Sequence, residues 1–178
     1  MDRIKVVEGN LLDIGIGIAE NDRNELIENV QIVVHSAADV RFDETLQHLL
    51  LVNLRGTREV LRLAEQMKRL EVFLHISTAY SNCPLSRVEE KFYAPPFDPE
   101  YMIKIAESLT EENTLSFEIM TESIIRPWPN TYTFTKALSE ELVRVFGQSF
   151  PVAMMRPSIG IDDNFFLFTI MISILFFF

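Results

Sequence analysis

Val72-Phe73-Leu74-His75-Ile76-Ser77-Thr78 is the stretch from which the fold is read. Its apolar run is continuous, not alternating, and it stops on two hydroxyl side chains. A continuous run suggests a strand covered on both faces, as in a parallel sheet. Working outward, Ile32-Val33-Val34-His35 is a second such run with turn-prone Asn29 just ahead. Ile4-Lys5-Val6-Val7 is another, closed by Glu8-Gly9-Asn10, and Val152-Ala153-Met154-Met155 is the last. Asn24 to Asn29 supplies about one and a half helical turns between the first two runs. Asp43 to Leu70 supplies a long helical stretch before the third. The order β-α-β-α-β-α-β predicts an α/β domain with a doubly wound parallel sheet.

Composition narrows the function classes. The 178 residues suffice for one ordinary domain. Hydrophobic residues make up 48% and charged residues 24%, which excludes a disordered, collagen-like or coiled-coil chain. Acidic residues outnumber basic ones 26 to 16, a net charge of -10. A whole-chain nucleic-acid binder needs the opposite sign to neutralise phosphates. Cys83 is alone, so no intrachain disulfide forms, which suits a reducing compartment. The first twenty residues do not have the pattern of a signal peptide. No metal-ligand set is assigned.

In the Asp43–Leu70 stretch, Leu46, Leu49, Leu50, Val60, Leu61, Ala64 and Met67 fall on one helical face, and Asn53 and Thr57 continue the stripe. A buried Asn amide must find partners, so Asn53 is expected to be tied to backbone or to an active-site network. Gly56 inside a helix costs roughly 1 kcal/mol against Ala, pointing to a close approach or to a mid-helix kink. Residues 81–128 read as an insertion over the ligand-binding edge of the sheet. They hold Pro84, Pro95, Pro96, Pro99 and Pro127, with amphipathic pieces at Met102–Leu109 and Leu115–Ile125. Phe165 to Phe178 is apolar but for Thr169 and Ser173, shorter than the about 20 residues a spanning helix needs. A truncated membrane segment, a buried helix and an aberrant C-terminus are the three readings, and the last is favoured because the helix-strand rhythm stops after Gly160.

The chemistry is read from Pro129-Asn130-Thr131-Tyr132-Thr133-Phe134-Thr135-Lys136. Asn130 or Thr131 can cap a helix running to about Phe146, with Gly147 as a stop. Phe134, Leu138, Leu142 and Val145 form its core-facing stripe, and Tyr132 and Lys136 stack one turn apart on another face. A free phenol has a pKa near 10. A neighbouring ammonium stabilises the phenolate and lowers that value. The pair therefore suits proton donation to an alkoxide formed when hydride reaches a carbonyl, although Tyr and Lys also occur at this spacing incidentally. Ser77 and Thr78 end a strand where open α/β sheets bind ligands, so a hydroxyl there can hydrogen-bond the carbonyl oxygen. The ordinary alternative is a satisfied turn. Small residues in His35-Ser36-Ala37-Ala38 would let a flat cofactor approach the backbone.

Residues 4 to about 160 resemble the reductase domain of alcohol-forming fatty acyl-CoA reductases, a branch of the extended short-chain dehydrogenase/reductases. The matching pieces are His35-Ser36-Ala37-Ala38 with Val40 and Phe42, Asn53-Leu54-Arg55-Gly56-Thr57, Ile76-Ser77-Thr78-Ala79-Tyr80, Glu90-Lys91-Phe92-Tyr93, Trp128 to Leu138, and Arg156-Pro157-Ser158-Ile159. The resemblance implies a Rossmann-like fold. It implies that Tyr132 is the proton donor and that Lys136 lowers its pKa and holds the nicotinamide ribose. Thr78 would orient the substrate carbonyl, with Ser77 as second candidate, and Asn53 would belong to the same network. Ala37 and Ala38 would lie along the cofactor, Asn10 and Leu11 near adenine, and Pro157, Ser158 and Ile159 near the nicotinamide. The reaction implied is NADPH-dependent reduction of a long-chain acyl-CoA to a primary alcohol. An intracellular, membrane-associated location, peroxisome or endoplasmic reticulum, goes with that substrate class. Phe92, Tyr93, Phe97, Tyr101 and Met102 are the expected acyl-chain surface.

The Gly-rich phosphate loop of such folds has no counterpart here. Gly15-Ile16-Gly17 lacks the later glycine and reads as a loop. The sequence thus reads as an N-terminally truncated reductase domain over 1–160 followed by an apolar tail over 161–178. An exposed apolar sheet edge is expected, and NADPH binding that is weak or absent. An inactive fragment and an extended reductase acting on another carbonyl are the competing readings.

Overall fold

The computed structural model describes residues 4–158 and 175–177. In chain order the elements are α1 (Glu20–Asn29), β1 (Ile32–His35), α2 (Leu46–Leu49), a π-helical turn (Leu50–Arg55), α3 (Gly56–Ala64) and β2 (Val72–Ile76). They continue with α4 (Pro99–Ser108), α5 (Glu111–Ile125), α6 (Thr131–Phe146), β3 (Val152–Met155) and β4 (Leu175–Phe177). Strands β1, β2 and β3 are parallel, with Val33 opposite Phe73 and Leu74 opposite Ala153. Crossover helices between parallel strands make the Rossmann-like α/β architecture predicted.

Three features depart from the expectation. Ile4 to Val7 forms no strand: Ile4 and Val6 are exposed, and Lys5 pairs with Asp22 and Glu25 of α1. An apolar run becomes a strand only where it finds a ladder to join, and this one has none. The sheet is also not wholly parallel, because β4 pairs antiparallel with β3, Val152 lying opposite Phe177. Ile159 and most of the apolar tail lie outside the described residues. Finally, β1 is an edge strand whose Ile32 and Val34 are 59% and 58% exposed, while Val33 and His35 turn inward. Continuity of the apolar run therefore did not mean burial on both faces.

The core lies between the sheet and α3 and α6, built from Leu54, Leu61, Phe73, Phe134, Leu138 and Val152. Within α6 the predicted stripe holds for Phe134, Leu138 and Leu142, but Val145 is 45% exposed. Polar Thr133, Thr135, Lys136, Ser139 and Glu140 are buried as well. This helix is enclosed on nearly all sides, so it carries no solvated polar face over those residues.

The Asp43–Leu70 stretch starts at Thr45, whose side chain accepts from the His48 amide, and the Glu118 carboxylate accepts from the Leu46 and Gln47 amides. A carboxylate at a helix N-terminus satisfies orphan donors and complements the dipole. The π turn then frees the Asn53 carbonyl, which accepts from Thr57 Oγ1 at 2.6 Å and Ser139 Oγ at 3.0 Å. Helical geometry returns at Gly56. A Cβ there would stand 3.0 Å from Leu11 Cβ and 3.3 Å from the Leu11 carbonyl oxygen. Both explanations of this glycine therefore hold at one residue. Gly56→Val is expected to lower unfolding stability by about 1–3 kcal/mol, the usual cost of overpacking. Urea denaturation measures it, and a variant as stable as the wild type would show that Leu11 yields freely.

Candidate active site

The start of α6 sets the geometry. Asn130 caps the helix by accepting from the Thr133 amide at 2.9 Å, and Thr131 Oγ1 donates to the Glu44 carbonyl at 2.9 Å. Tyr132 is thereby held half-buried. Its ring lies 5.6 Å from the ring of Phe42, and the Thr78 side chain lies close enough to favour the ionised phenol. One turn on, Lys136 is buried, and its Nζ donates to the Ile76 carbonyl at 2.8 Å. His75 Nε2 stands 3.5 Å from the same Nζ. Phenol, amine and hydroxyl thus gather at the carboxyl end of β2, on residues 132, 136 and 78.

The electrostatics follow from burial. Lys136 is pushed down to about 8, chiefly by desolvation, with Glu140 pulling the other way. His35 is pushed down to about 4 by its own burial and by the Lys136 charge, and His75 well below its ordinary value by burial first. Burial also pushes the Tyr132 phenol up, against a smaller opposing pull from Thr78. The net shift of the phenol is upward, opposite in direction to the lowering expected from Lys136. Desolvation dominates, and the ammonium is directed at a backbone carbonyl and an imidazole.

The two strand-end hydroxyls separate cleanly. Ser77 Oγ turns inward and donates to Glu140 Oε1 at 2.6 Å, whereas Thr78 keeps company with the phenol. Asn53 is 2% exposed, and its amide spans the backbone of Asp39, accepting from that N–H at 2.8 Å and donating to that carbonyl at 2.9 Å. Its Nδ2 also lies 3.5 Å from Thr135 Oγ1. Asn53 therefore fixes the loop that carries Phe42 onto Tyr132. Ala37 is exposed and Ala38 half-buried at the end of β1. Pro157 and Ser158 are half-buried, and the Pro157 carbonyl accepts from Ala79 N–H at 2.9 Å. Asn10 is exposed and accepts from the Leu12 amide in a local turn, while Leu11 packs on Gly56.

Glu140 and the use of Arg156 were missed by sequence reasoning. Arg156 forks onto Glu140 at 2.9 and 2.8 Å, and both are nearly inaccessible to solvent. The available signal was the spacing: Glu140 follows Lys136 by one helical turn, so it lies on the same buried side. Of the expected acyl-chain surface, Met102 is core, Phe92 packs against the core, Phe97 meets Phe134 edge-on and Tyr93 lies under Arg156. Tyr101 is 59% exposed. Among the described residues no helix is long and apolar enough to cross a membrane.

Residues 1–165 match the NAD-binding family described as Male sterility protein. The chain belongs to that family. It is 40% identical over 159 residues to Fatty acyl-CoA reductase wat of Drosophila melanogaster, covering 89% of this chain and 30% of that protein. It is also 40% identical over 158 residues to human Fatty acyl-CoA reductase 2, with the same coverage. The chain thus spans just under a third of the length of these relatives. Among solved structures, the terminal R domain of the myxalamid PKS-NRPS pathway aligns with a TM-score of 0.57 at 24% identity, over 85% of this chain and 32% of that one. WbmG of Bordetella bronchiseptica, in complex with NAD, aligns with a TM-score of 0.52 at 19% identity, over 88% and 38%. These two share the fold.

The low pKa of Lys136 has a thermodynamic consequence. Between about 8 and 10.5 the unfolded chain holds a proton on this amine that the native state has lost. Stability contributed by this group therefore rises with pH across that window. The stability of the wild type relative to Lys136→Met is expected to climb by ~3 kcal/mol at most over the window. Chemical denaturation at several pH values measures this difference, and a flat difference would place the amine in solvent.

Proposed function

We propose that this protein reduces a long-chain fatty acyl-CoA to a primary alcohol with NADPH. The single observation that supports the reading is the meeting of Tyr132, Thr78 and Lys136 at the carboxyl end of β2, in a member of an NAD-binding family. The relatives named fatty acyl-CoA reductase supply the substrate class.

The donor set suits the nicotinamide-ribose half of such a cofactor. An ammonium has three donors. One goes to the Ile76 carbonyl and one faces His75, which leaves a third for a sugar hydroxyl. Exposed Ser36 and Ala37 leave the backbone after β1 open to a flat ligand. When bound, NADPH supplies hydride to the carbonyl carbon. Thr78 donates a hydrogen bond to the carbonyl oxygen and fixes its approach to Tyr132. Tyr132 then gives its phenolic proton to the oxygen that has gained charge. Lys136, held beneath, stabilises the phenolate that remains. The same residues serve twice, with one NADPH consumed each time. The reduced thioester carbon expels coenzyme A as its thiol, the hydroxyl proton passing to sulfur, to leave the aldehyde. Tyr132, reprotonated from solvent, then protonates the alkoxide formed from that aldehyde. Association with a membrane of the peroxisome or endoplasmic reticulum is part of this reading, supported by the insolubility of the substrate class alone.

The full-length protein supplied with palmitoyl-CoA and NADPH is expected to yield hexadecanol. Tyr132→Phe and Lys136→Ala are each expected to lower kcat by about 100-fold or more, the typical share of a positioned proton donor. Thr78→Ala is expected to cost about 100-fold, as loss of one oxyanion donor does. Product analysis by gas chromatography reads all three. Wild-type turnover in any of them would overturn the role of that residue. A protein inert to palmitoyl-CoA that reduces another carbonyl would overturn the substrate class.

A further inference from the structure

We infer that Glu140 is a positioning residue, which through Ser77 and Arg156 fixes the strand end bearing Thr78 and the first segment of the insertion around it. The inference rests on the reading above, and deepens it. Glu140 Oε1 accepts from Ser77 Oγ and Ser81 Oγ at 2.6 Å each and from Arg156 Nε at 2.9 Å. Its Oε2 accepts from Asn82 Nδ2 at 3.1 Å and Arg156 Nη2 at 2.8 Å. All these side chains are buried. A carboxylate offers about four acceptor positions, so this one is saturated and its donors come from three separate pieces of chain.

The geometry reaches the reacting groups from one side. Ser77 is the residue next to Thr78, and Ser81 Oγ also lies 3.0 Å from the Thr78 carbonyl. Residues on both sides of Thr78 are therefore tied to one buried carboxylate, which sits on the helix that carries Tyr132 and Lys136. Arg156 extends the tie: its Nη1 donates to the Glu89 carbonyl at 3.1 Å and its Nη2 to the Lys91 carbonyl at 3.0 Å. Trp128 Nε1 closes the insertion on the same point by donating to the Ser81 carbonyl at 2.7 Å. A shift of Glu140 would move the Thr78 hydroxyl relative to the phenol, and a displacement of about 1 Å can cost about 100-fold in rate.

Two measurements on the full-length protein test this. In the first, Ser77→Ala removes one donor and leaves the Glu140–Arg156 pair whole. Its kcat with palmitoyl-CoA and NADPH is expected to fall about tenfold while both KM values stay within about twofold and the thermal midpoint holds. In the second, amide exchange at Ser77 and Ala79 is expected to run about tenfold faster in Ser77→Ala, with Leu138 and Leu142 of α6 unchanged. Glu140→Gln is expected to give the same signature more strongly. If that variant does not fold, Ser77→Ala decides alone. An unchanged kcat in Ser77→Ala, or a lower kcat with unaltered exchange at Ala79, overturns the inference. A wild-type protein without acyl-CoA turnover refutes the proposed reaction instead, and the exchange data then decide the positioning by themselves.

Discussion

A buried charge must be partnered, and α6 buries two of them one turn apart. Lys136 and Glu140 both lie where solvent scarcely reaches. Removing an ion from water costs several kcal/mol even after the surroundings relax, so each needs neighbours that return the loss. Glu140 obtains them in full, from a guanidinium, two hydroxyls and an amide. Lys136 obtains a carbonyl and a neutral imidazole. The rest of the site is arranged by these two solutions. The end of β2 is held to α6 by them, because Ile76 serves the amine and Ser77 serves the carboxylate.

The opposite side of the site is held by a different device. The π turn ahead of Gly56 inserts an extra residue into a helical turn, and such bulges leave a carbonyl without its usual partner. Here Thr57 and Ser139 fill that need, which draws α3 against α6. The same turn aims the Asn53 amide at the backbone of Asp39. Asp39 begins the loop whose Arg41 and His48 partners surround its carboxylate and whose Phe42 meets Tyr132. Tyr132 therefore stands between two fixed walls, one reached through Asn53 and one through Glu140.

Apolar runs flanked by turn residues made three of the strands legible in the sequence, since parallel strands carry their signal locally. The run at Ile4–Val7 carried the same signal and formed none, because pairing is a property of two segments and not of one. Asn53 was legible as a buried amide needing partners, though the partner, the backbone of Asp39, required coordinates. Ser77 and Thr78 could not be told apart as types: both are hydroxyls at a strand end, and only alternation along the strand sends one inward and the other toward Tyr132. Glu140 was passed over because acidic residues on helices are usually solvated. Arg156 sits far away in sequence, and long-range ion pairs leave no local pattern. The sign of the Tyr132 shift was unreadable for a related reason. Spacing says that two groups lie a turn apart, but not how much water has been removed from either.

Charge arithmetic inside the site joins these points. Glu140 is paired with Arg156 and acts on Lys136 only at a distance, and among the described residues no carboxylate contacts Lys136. The amine is thus a buried cation whose immediate neighbours are neutral, the condition that depresses its pKa. In the proposed reaction, that imbalance is relieved at one moment. Once Tyr132 has given up its proton, a phenolate stands one helical turn from the ammonium and supplies the missing opposite charge. The attraction is weak while the phenol is neutral and strong as its proton leaves. An interaction of that kind lowers the barrier without tightening the ground state. The elevated phenol and the depressed amine, taken separately, look like two poorly placed groups. Taken together they show burial working against each charge on its own, a cost that their mutual attraction offsets only in the state in which both are charged.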